Sequence, residues 1–139
     1  MITTDLQIRF SDLDILQHVN NSVLVQFYDL GKCEYFSQVM GLSQHVWNRN
    51  SFAIVSVKMD FMQEVRGTDE VYVTTRISKL GVKSVTFSQQ IIDRATGDVK
   101  SQCESVLSGF DLEKRCSMEI LPERREAIIA YEGDDLIIK

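Results

Sequence analysis

Arg9-Phe10-Ser11-Asp12-Leu13-Asp14-Ile15-Leu16-Gln17-His18-Val19-Asn20-Asn21 is the stretch on which the chain changes from one kind of structure to another. Before it, Leu6, Ile8 and Phe10 alternate with Asp5, Gln7 and Arg9, the period-two pattern of a strand buried on one face. After it, Val23, Leu24, Phe27, Leu30, Tyr35, Phe36 and Val39 recur at helical spacing, while Val25, Tyr28 and Cys33 fill much of the remaining circumference. The pattern predicts a helix running to about Met40 and buried on more than one side. Asn20 or Asn21 can cap it by accepting a hydrogen bond from an N–H of the first turn, and Gly41 supplies a stop. Gly31 would cost about 1 kcal/mol relative to Ala in an exposed helix, so its presence predicts close approach to another backbone. The quoted stretch is therefore a strand-to-helix junction. It sets carboxylates beside the unpaired N–H groups of a helix start, a pairing suited to carbonyl chemistry.

Beyond the helix, the segment Leu42 to Ser51, with His45, Trp47 and Asn48, reads as a short helix or a loop. The period then changes to two. Ala53, Val55, Val57, Met59 and Phe61 are expected on one face of a long strand, with Ile54, Ser56, Lys58, Asp60 and Met62 on the other. Glu70 to Ser78 predicts the next strand, after a turn at Arg66-Gly67-Thr68-Asp69. Two more are expected over Val82 to Asp93 and Val99 to Phe110, joined by the hairpin connection Arg94-Ala95-Thr96-Gly97-Asp98. Pro122 marks a helix start, with Glu123 to Tyr131 extending it and Ile128 and Ile129 on the inner side, and Glu132 to Lys139 reads as a weakly specified tail. Strand, long helix and four consecutive strands make an α+β domain: an antiparallel sheet wrapped around one helix. No repeat or linker divides residues 1–139, so one domain is expected.

The 139 residues are 44% hydrophobic and 25% charged, the composition of an ordinary globular chain able to bury a core. A net charge of -5 argues against a general nucleic-acid or anionic-membrane binder, which needs concentrated basic surface. Cys33, Cys103 and Cys116 form neither a C-x-x-C pair nor an even set, so no disulfide framework or zinc site is suggested. The start Met1-Ile2-Thr3-Thr4-Asp5 has no basic and apolar leader, and no apolar run reaches bilayer length. A cytoplasmic protein without a membrane span is the expectation.

Arg9-Phe10-x-Asp12-x-Asp14-x-x-x-His18-Val19-Asn20-Asn21, followed by a helix carrying Gly31-Lys32-Cys33-Glu34-Tyr35, resembles the motif of the 4-hydroxybenzoyl-CoA thioesterase-like hotdog proteins. Asp12 to Asn21 also resembles the corresponding stretch of acyl-ACP thioesterases of the same superfamily. Three positions depart from the pattern. Gln17 stands where many acyl-CoA members carry Gly, Leu16 where acyl-ACP members carry Asn, and Leu24 where an aromatic often follows the Asn pair. The likeness in element order spans Leu6 to about Phe110.

The resemblance implies an acyl-thioester hydrolase of a single hotdog domain, acting on acyl-CoA ahead of acyl-ACP. A non-catalytic acyl-CoA-binding protein of the same fold is the alternative from another class. Asp14 matches the catalytic carboxylate, which activates a water as general base or attacks the thioester carbonyl directly. Read without the motif, Asp14 only turns the chain by bonding local N–H groups. His18 either orients the carboxylate, contacts the thioester or holds the loop. The Asn21 backbone N–H is the candidate for polarising the carbonyl, with its side chain free to cap the helix. Asp12, Arg9 and Asn20 read as a local ion-pair and hydrogen-bond frame. Lys79 and Lys83, bracketing Gly81, are candidates for the coenzyme phosphates, where family members often meet them, although two lysines in a turn are usually just solvated. His45, Glu64 and the cysteines take bland readings: surface or packing, a solvated charge, and small core residues without a partner to activate them. The resemblance further implies a homodimer, with dimers able to pair into a homotetramer and active sites at the subunit interface. Neither cofactor nor metal is required, since thioester hydrolysis needs water, a base and an electrostatic cradle.

Overall fold

The computed structural model describes residues 1–42 and 50–139. Strand β1 spans Ile2–Asp5, helix α1 Asn21–Met40, β2 Asn50–Phe61, β3 Val71–Leu80, β4 Ser84–Asp93 and β5 Val99–Asp111. The short β6 (Cys116–Ser117), helix α2 (Pro122–Glu132) and β7 (Ile137–Ile138) complete the order. The strands form one sheet in the order β1-β3-β4-β5-β2, antiparallel throughout, with β6 added to β5 and β7 lying parallel against β3. This is the expected α+β architecture, with α1 held against one face. No described helix is long and apolar enough to cross a membrane.

Helix α1 starts and stops for the expected reasons. Asn20 Oδ1 accepts from the Ser22 N–H at 3.0 Å, and Gly41, at φ 69°, lets the Leu42 N–H return to the Phe36 carbonyl at 2.9 Å. Gly31 does lie close against the sheet, but what it meets is the side chains of Val73, Thr75 and Gln89 and not the expected backbone. A Cβ there would overlap the Thr75 hydroxyl and stand 2.8 Å from Gln89 Nε2. The helix rests mainly on β1 and β3 and less on β4, and its side chains reach β5. One of them, the buried Tyr28, donates to Ser101 Oγ at 2.7 Å, and Ser101 in turn donates to the Asp60 carbonyl at 3.0 Å. Around these contacts the apolar core divides in two. Tyr35, Ile77, Leu80, Phe87, Ile128 and Leu136 gather at the C-terminal half of α1. Leu24, Phe27, Val65, Val71, Ile91 and Cys103 gather at its start, below the motif.

The structure corrects the sequence reading in four places. The first strand lies earlier than expected: Ile2–Asp5 pairs with Tyr72–Thr75, while Leu6 to Arg9 runs outside the ladder and Phe10–Asp12 forms a 3-10 turn. The alternation of Leu6 and Ile8 reports real burial, but after the Leu6 N–H meets the Val71 carbonyl at 3.3 Å the segment leaves β3. In β2, a bulge between Ile54 and Ser56 changes the facing, so Phe52 and Ile54 share the inner side with Val57, Met59 and Phe61. The expected grouping of Ala53 and Val55 with Val57 fails because one extra residue shifts a period-two pattern by one.

The third correction is the tail. Leu136 is buried, β7 pairs with Lys79 and Leu80, and Glu132 bonds into the core. Helix α2 starts at Pro122 as expected, and the fourth correction is its facing: Ile128 is buried together with Arg124, whereas Ile129 is exposed. The reading of Leu42 to Ser51, including His45, Trp47 and Asn48, falls mainly on residues 43–49, outside the described residues; Asn50 and Ser51 already belong to β2.

Candidate active site

The junction between β1 and α1 is a small hairpin closed by its own backbone hydrogen bonds. Leu13 and Val19 form an antiparallel bridge, the Asp14 N–H donates to the His18 carbonyl at 2.8 Å, and the Gln17 N–H donates to the Asp14 carbonyl at 3.0 Å. Gln17 closes the turn at φ 65°, the left-handed region that glycine enters without a steric penalty. The hairpin is anchored from both sides. The Val19 N–H donates to the Val65 carbonyl at 2.7 Å, His18 bridges to Arg66, and the Asn20 N–H donates to the Asp12 carbonyl at 2.8 Å. Asp12 Oδ2 accepts from the Arg9 backbone N–H at 2.7 Å. The hydrogen-bond part of the expected frame is therefore present, but Arg9 enters it through its backbone, and no Arg9–Asp12 ion pair forms among the described residues.

Asp14 sits inside this frame. Its Oδ1 accepts from the Leu16 N–H at 2.9 Å and the His18 N–H at 3.1 Å, so one oxygen performs the chain-turning role common to Asp in loops. Its Oδ2 has no hydrogen-bond partner among the described residues. The Asn21 N–H is likewise without a partner, since Asn20 caps Ser22 and the Asn20 carbonyl takes Val23 and Leu24. The junction thus brings an available carboxylate oxygen and an available helix-start amide into one short stretch of chain.

His18 faces a separate partner. Its Nε2 lies 3.7 Å from Glu64 Oε2, and Glu64 Oε1 accepts from Arg66 Nε at 3.0 Å and Nη2 at 2.7 Å. The Arg66 hydrogen bonds, with the His18 ring second, hold the Glu64 carboxyl below its ordinary range. Sequence reading missed this pairing, and the only signal was the Glu64-Val65-Arg66 spacing beside the Gly67 turn. His18, Glu64 and Arg66 line an open cleft of about 560 Å³ with Arg9, Phe10 and Leu16. Asp14 and Asn21 stand outside its lining. The loop tip presents bare apolar surface to the cleft and around it, with Phe10 91% and Ile15 95% exposed.

Lys79 and Lys83 are not brought to this place. Lys79 lies opposite Thr86 near the far end of β3, after a bulge that turns it to the face away from Leu80 and Val85, and Lys83 is exposed in the β3–β4 turn. The motif side meets the start of β3 at Val71, and the eight residues from there to Lys79 extend roughly 26 Å.

Residues 8–128 match the family described as the thioesterase-like superfamily. A long-chain acyl-CoA thioesterase, FadM, of Escherichia coli K12 is 22% identical over 125 residues, covering 90% of this chain and 95% of that protein. Among solved structures, a Pseudomonas aeruginosa PAO1 protein superposes with TM-score 0.86 at 21% identity, covering 96% of this chain and 93% of its own. A thioesterase of Thermus thermophilus, solved with coenzyme A and zinc, superposes with TM-score 0.79 at 26% identity, covering 94% and 93%. The fold is the hotdog fold of thioesterases. The chain belongs to the thioesterase-like superfamily.

Proposed function

We propose that this chain hydrolyses acyl thioesters, with acyl-CoA as substrate ahead of acyl-ACP. The observation that carries the reading is the unpartnered Oδ2 of Asp14 in the same junction as the unpartnered Asn21 N–H. In this reaction Asp14 Oδ2 takes a proton from water as the water oxygen bonds to the carbonyl carbon, or attacks that carbon itself to give, after loss of the thiolate, a mixed anhydride that a water then hydrolyses to free Asp14. The oxyanion forms at the Asn21 amide, where the α1 dipole favours negative charge. The carbon–sulfur bond then breaks, and the thiolate takes a proton as it leaves. His18, on the cleft side of the same hairpin, contacts the thioester end. The likeness to a long-chain acyl-CoA thioesterase supports coenzyme A as carrier. So does Leu16, where acyl-ACP enzymes carry a polar side chain.

The proposal includes a homodimer, or a homotetramer of paired dimers, with the site at the interface. What supports it is the outer edge of β2, unpaired among the described residues and carrying exposed Ile54, Val55, Val57 and Phe61. Lys79 and Lys83, proposed as phosphate contacts, are far from Asp14 within one chain, so they serve an Asp14-centred site from a second subunit. One observation favours the non-catalytic reading: Asp14 Oδ1 is already used to fold its loop.

A thiol-release assay over acyl-CoA and acyl-ACP esters tests the proposal. The expected outcome is turnover of acyl-CoA, with Asp14→Asn slower by about 10²- to 10⁴-fold, the usual worth of general-base assistance. Equal turnover by a folded Asp14→Asn protein overturns the role of Asp14. Tight binding without thiol release favours the acyl-binding reading.

A further inference from the structure

The open cleft beside the hairpin, about 560 Å³, has the size of a small-molecule site, and its lining sorts into three kinds of group. Ile8, Leu13 and Leu16 supply apolar surface. Gln17 and Thr68 supply a side-chain amide and a hydroxyl that bond to nothing among the described residues. Arg9 supplies a guanidinium whose donors are equally unmet, because Asp12 accepts from the Arg9 backbone N–H and not from its side chain. The other charges are matched. Glu64 accepts twice from Arg66, so that pair cancels and Arg9 leaves the lining with an uncompensated positive charge, on a chain whose net charge is -5.

A thioester substrate has two ends to place. The acyl tail is hydrocarbon, and in this cleft it would cover Arg9, Glu64 and Arg66 without offering them a hydrogen bond. The thiol side is an arm of methylene segments and two amides that ends, in coenzyme A and in acyl carrier protein alike, in a phosphate. That order of groups suits the lining: apolar wall for the methylenes, Gln17 and Thr68 for the amides, and Arg9 for the anion. The position suits it too. Leu13, Leu16, Gln17 and His18 flank Asp14 in the chain and face the cleft, so an arm leaving the Asp14–Asn21 junction on the His18 side enters it. Arg9 stands five residues before Asp14, at most roughly 18 Å away along an extended chain, which an extended arm and the Arg9 side chain together can span.

We propose that the cleft holds the phosphopantetheine arm of the substrate, with the Arg9 guanidinium on its 4′-phosphate. The proposal rests on the thioesterase reading above. A guanidinium presents its donors as a fork that phosphate oxygens accept two at a time, and Arg9 can turn to them because no described residue holds its side chain. This puts a phosphate contact on the same chain as Asp14. The remaining phosphates of coenzyme A are left to Lys79 and Lys83.

KM is measured for one acyl group, dodecanoyl, on four carriers: pantetheine, 4′-phosphopantetheine, coenzyme A and acyl carrier protein. The expected KM is about tenfold or more lower for the phosphopantetheine ester than for the pantetheine ester, the worth of one hydrogen-bonded contact to a charged group. Arg9→Gln, which keeps the backbone N–H that Asp12 uses, should bring that ratio towards one by raising KM for the phosphopantetheine ester. The two natural carriers separate the sources of the phosphate: an equal loss on both supports recognition of the arm from either, and a loss on one alone supports the contact with that carrier as its source. A variant that only disturbs the hairpin would raise KM for both small esters and leave their ratio unchanged. A ratio of one in the wild-type protein, or a ratio that Arg9→Gln retains in full, overturns the proposal and leaves the thioesterase reading intact. Hydrolysis of none of the four esters overturns both.

Discussion

The Glu132 carboxylate binds the Tyr35 hydroxyl: Oε2 accepts from it at 2.6 Å, joining the end of α2 to the middle of α1. The same oxygen accepts from the Ile77 backbone N–H at 2.8 Å, on the stretch of β3 between its pairing with β1 and its pairing with β7. One side chain thus fills a gap in a sheet edge and caps a buried phenol. Glu132→Ala should cost about 2–3 kcal/mol, since it leaves two largely buried donors unmet. Glu132→Gln, which keeps an acceptor oxygen, should cost less. Urea unfolding with unchanged m-values is the measurement.

Alkaline stability follows from the same contact. Burial first, and the Glu132 hydrogen bond second, raise the Tyr35 phenol above its ordinary value, and burial raises that of Tyr28. A group raised in the folded state contributes stability that is fully present below its unfolded pKa, about 10, and is lost as pH rises beyond it. The melting temperature should therefore hold between about pH 8 and 9.5 and fall above about pH 10. Tyr35→Phe should lower the midpoint at neutral pH but flatten the alkaline fall. An equal slope in both proteins would contradict the assignment.

Gln17 carries backbone strain at φ 65°. Gln17→Gly should raise stability by about 0.5 kcal/mol, the relief of a left-handed conformation less the extra entropy glycine loses on folding. Gln17→Val should lower it by about 1 kcal/mol or more, because a branched Cβ is least tolerated there. Denaturant midpoints compare the three.

Gly31→Ala sets helix propensity against packing. Alanine is favoured by about 1 kcal/mol in a helix interior, yet its Cβ would enter the space of Thr75 and Gln89. Neither neighbour can withdraw easily, because Gln89 is bonded to both Tyr28 and Thr75. Overpacking wins, and a net loss of about 1–2 kcal/mol is expected by thermal and chemical unfolding.

The three thiols should react in order of exposure. Cys116 is exposed, Cys33 is half-buried with its thiol raised by burial and by Asp29, and Cys103 is buried and also raised. A disulfide reagent under native conditions should titrate one fast thiol, abolished by Cys116→Ser, and reach Cys103 only on unfolding.

By itself the sequence determined the order of elements, the caps of α1 and the place of the motif, because these depend on residues close in the chain. Asn20 and Gly41 satisfy helix ends locally, Gly31 announces a close approach, and period-two runs report one-sided burial. It also showed Asp14 among the residues that match a thioesterase motif. What only the tertiary structure decided depends on contacts across the chain. The β2 bulge that moves Phe52 and Ile54 to the inner side is a matter of pairing with β5. The docking of Glu132 appears only when α2 meets the gap in β3, and the Glu64–His18 pairing only when the end of β2 returns beside the hairpin. The burial of Lys32, at 5% exposure beside Asp29, likewise appears only when α1 docks on the sheet. Local propensity names what a residue can do; burial and the partners it meets decide which of those it does.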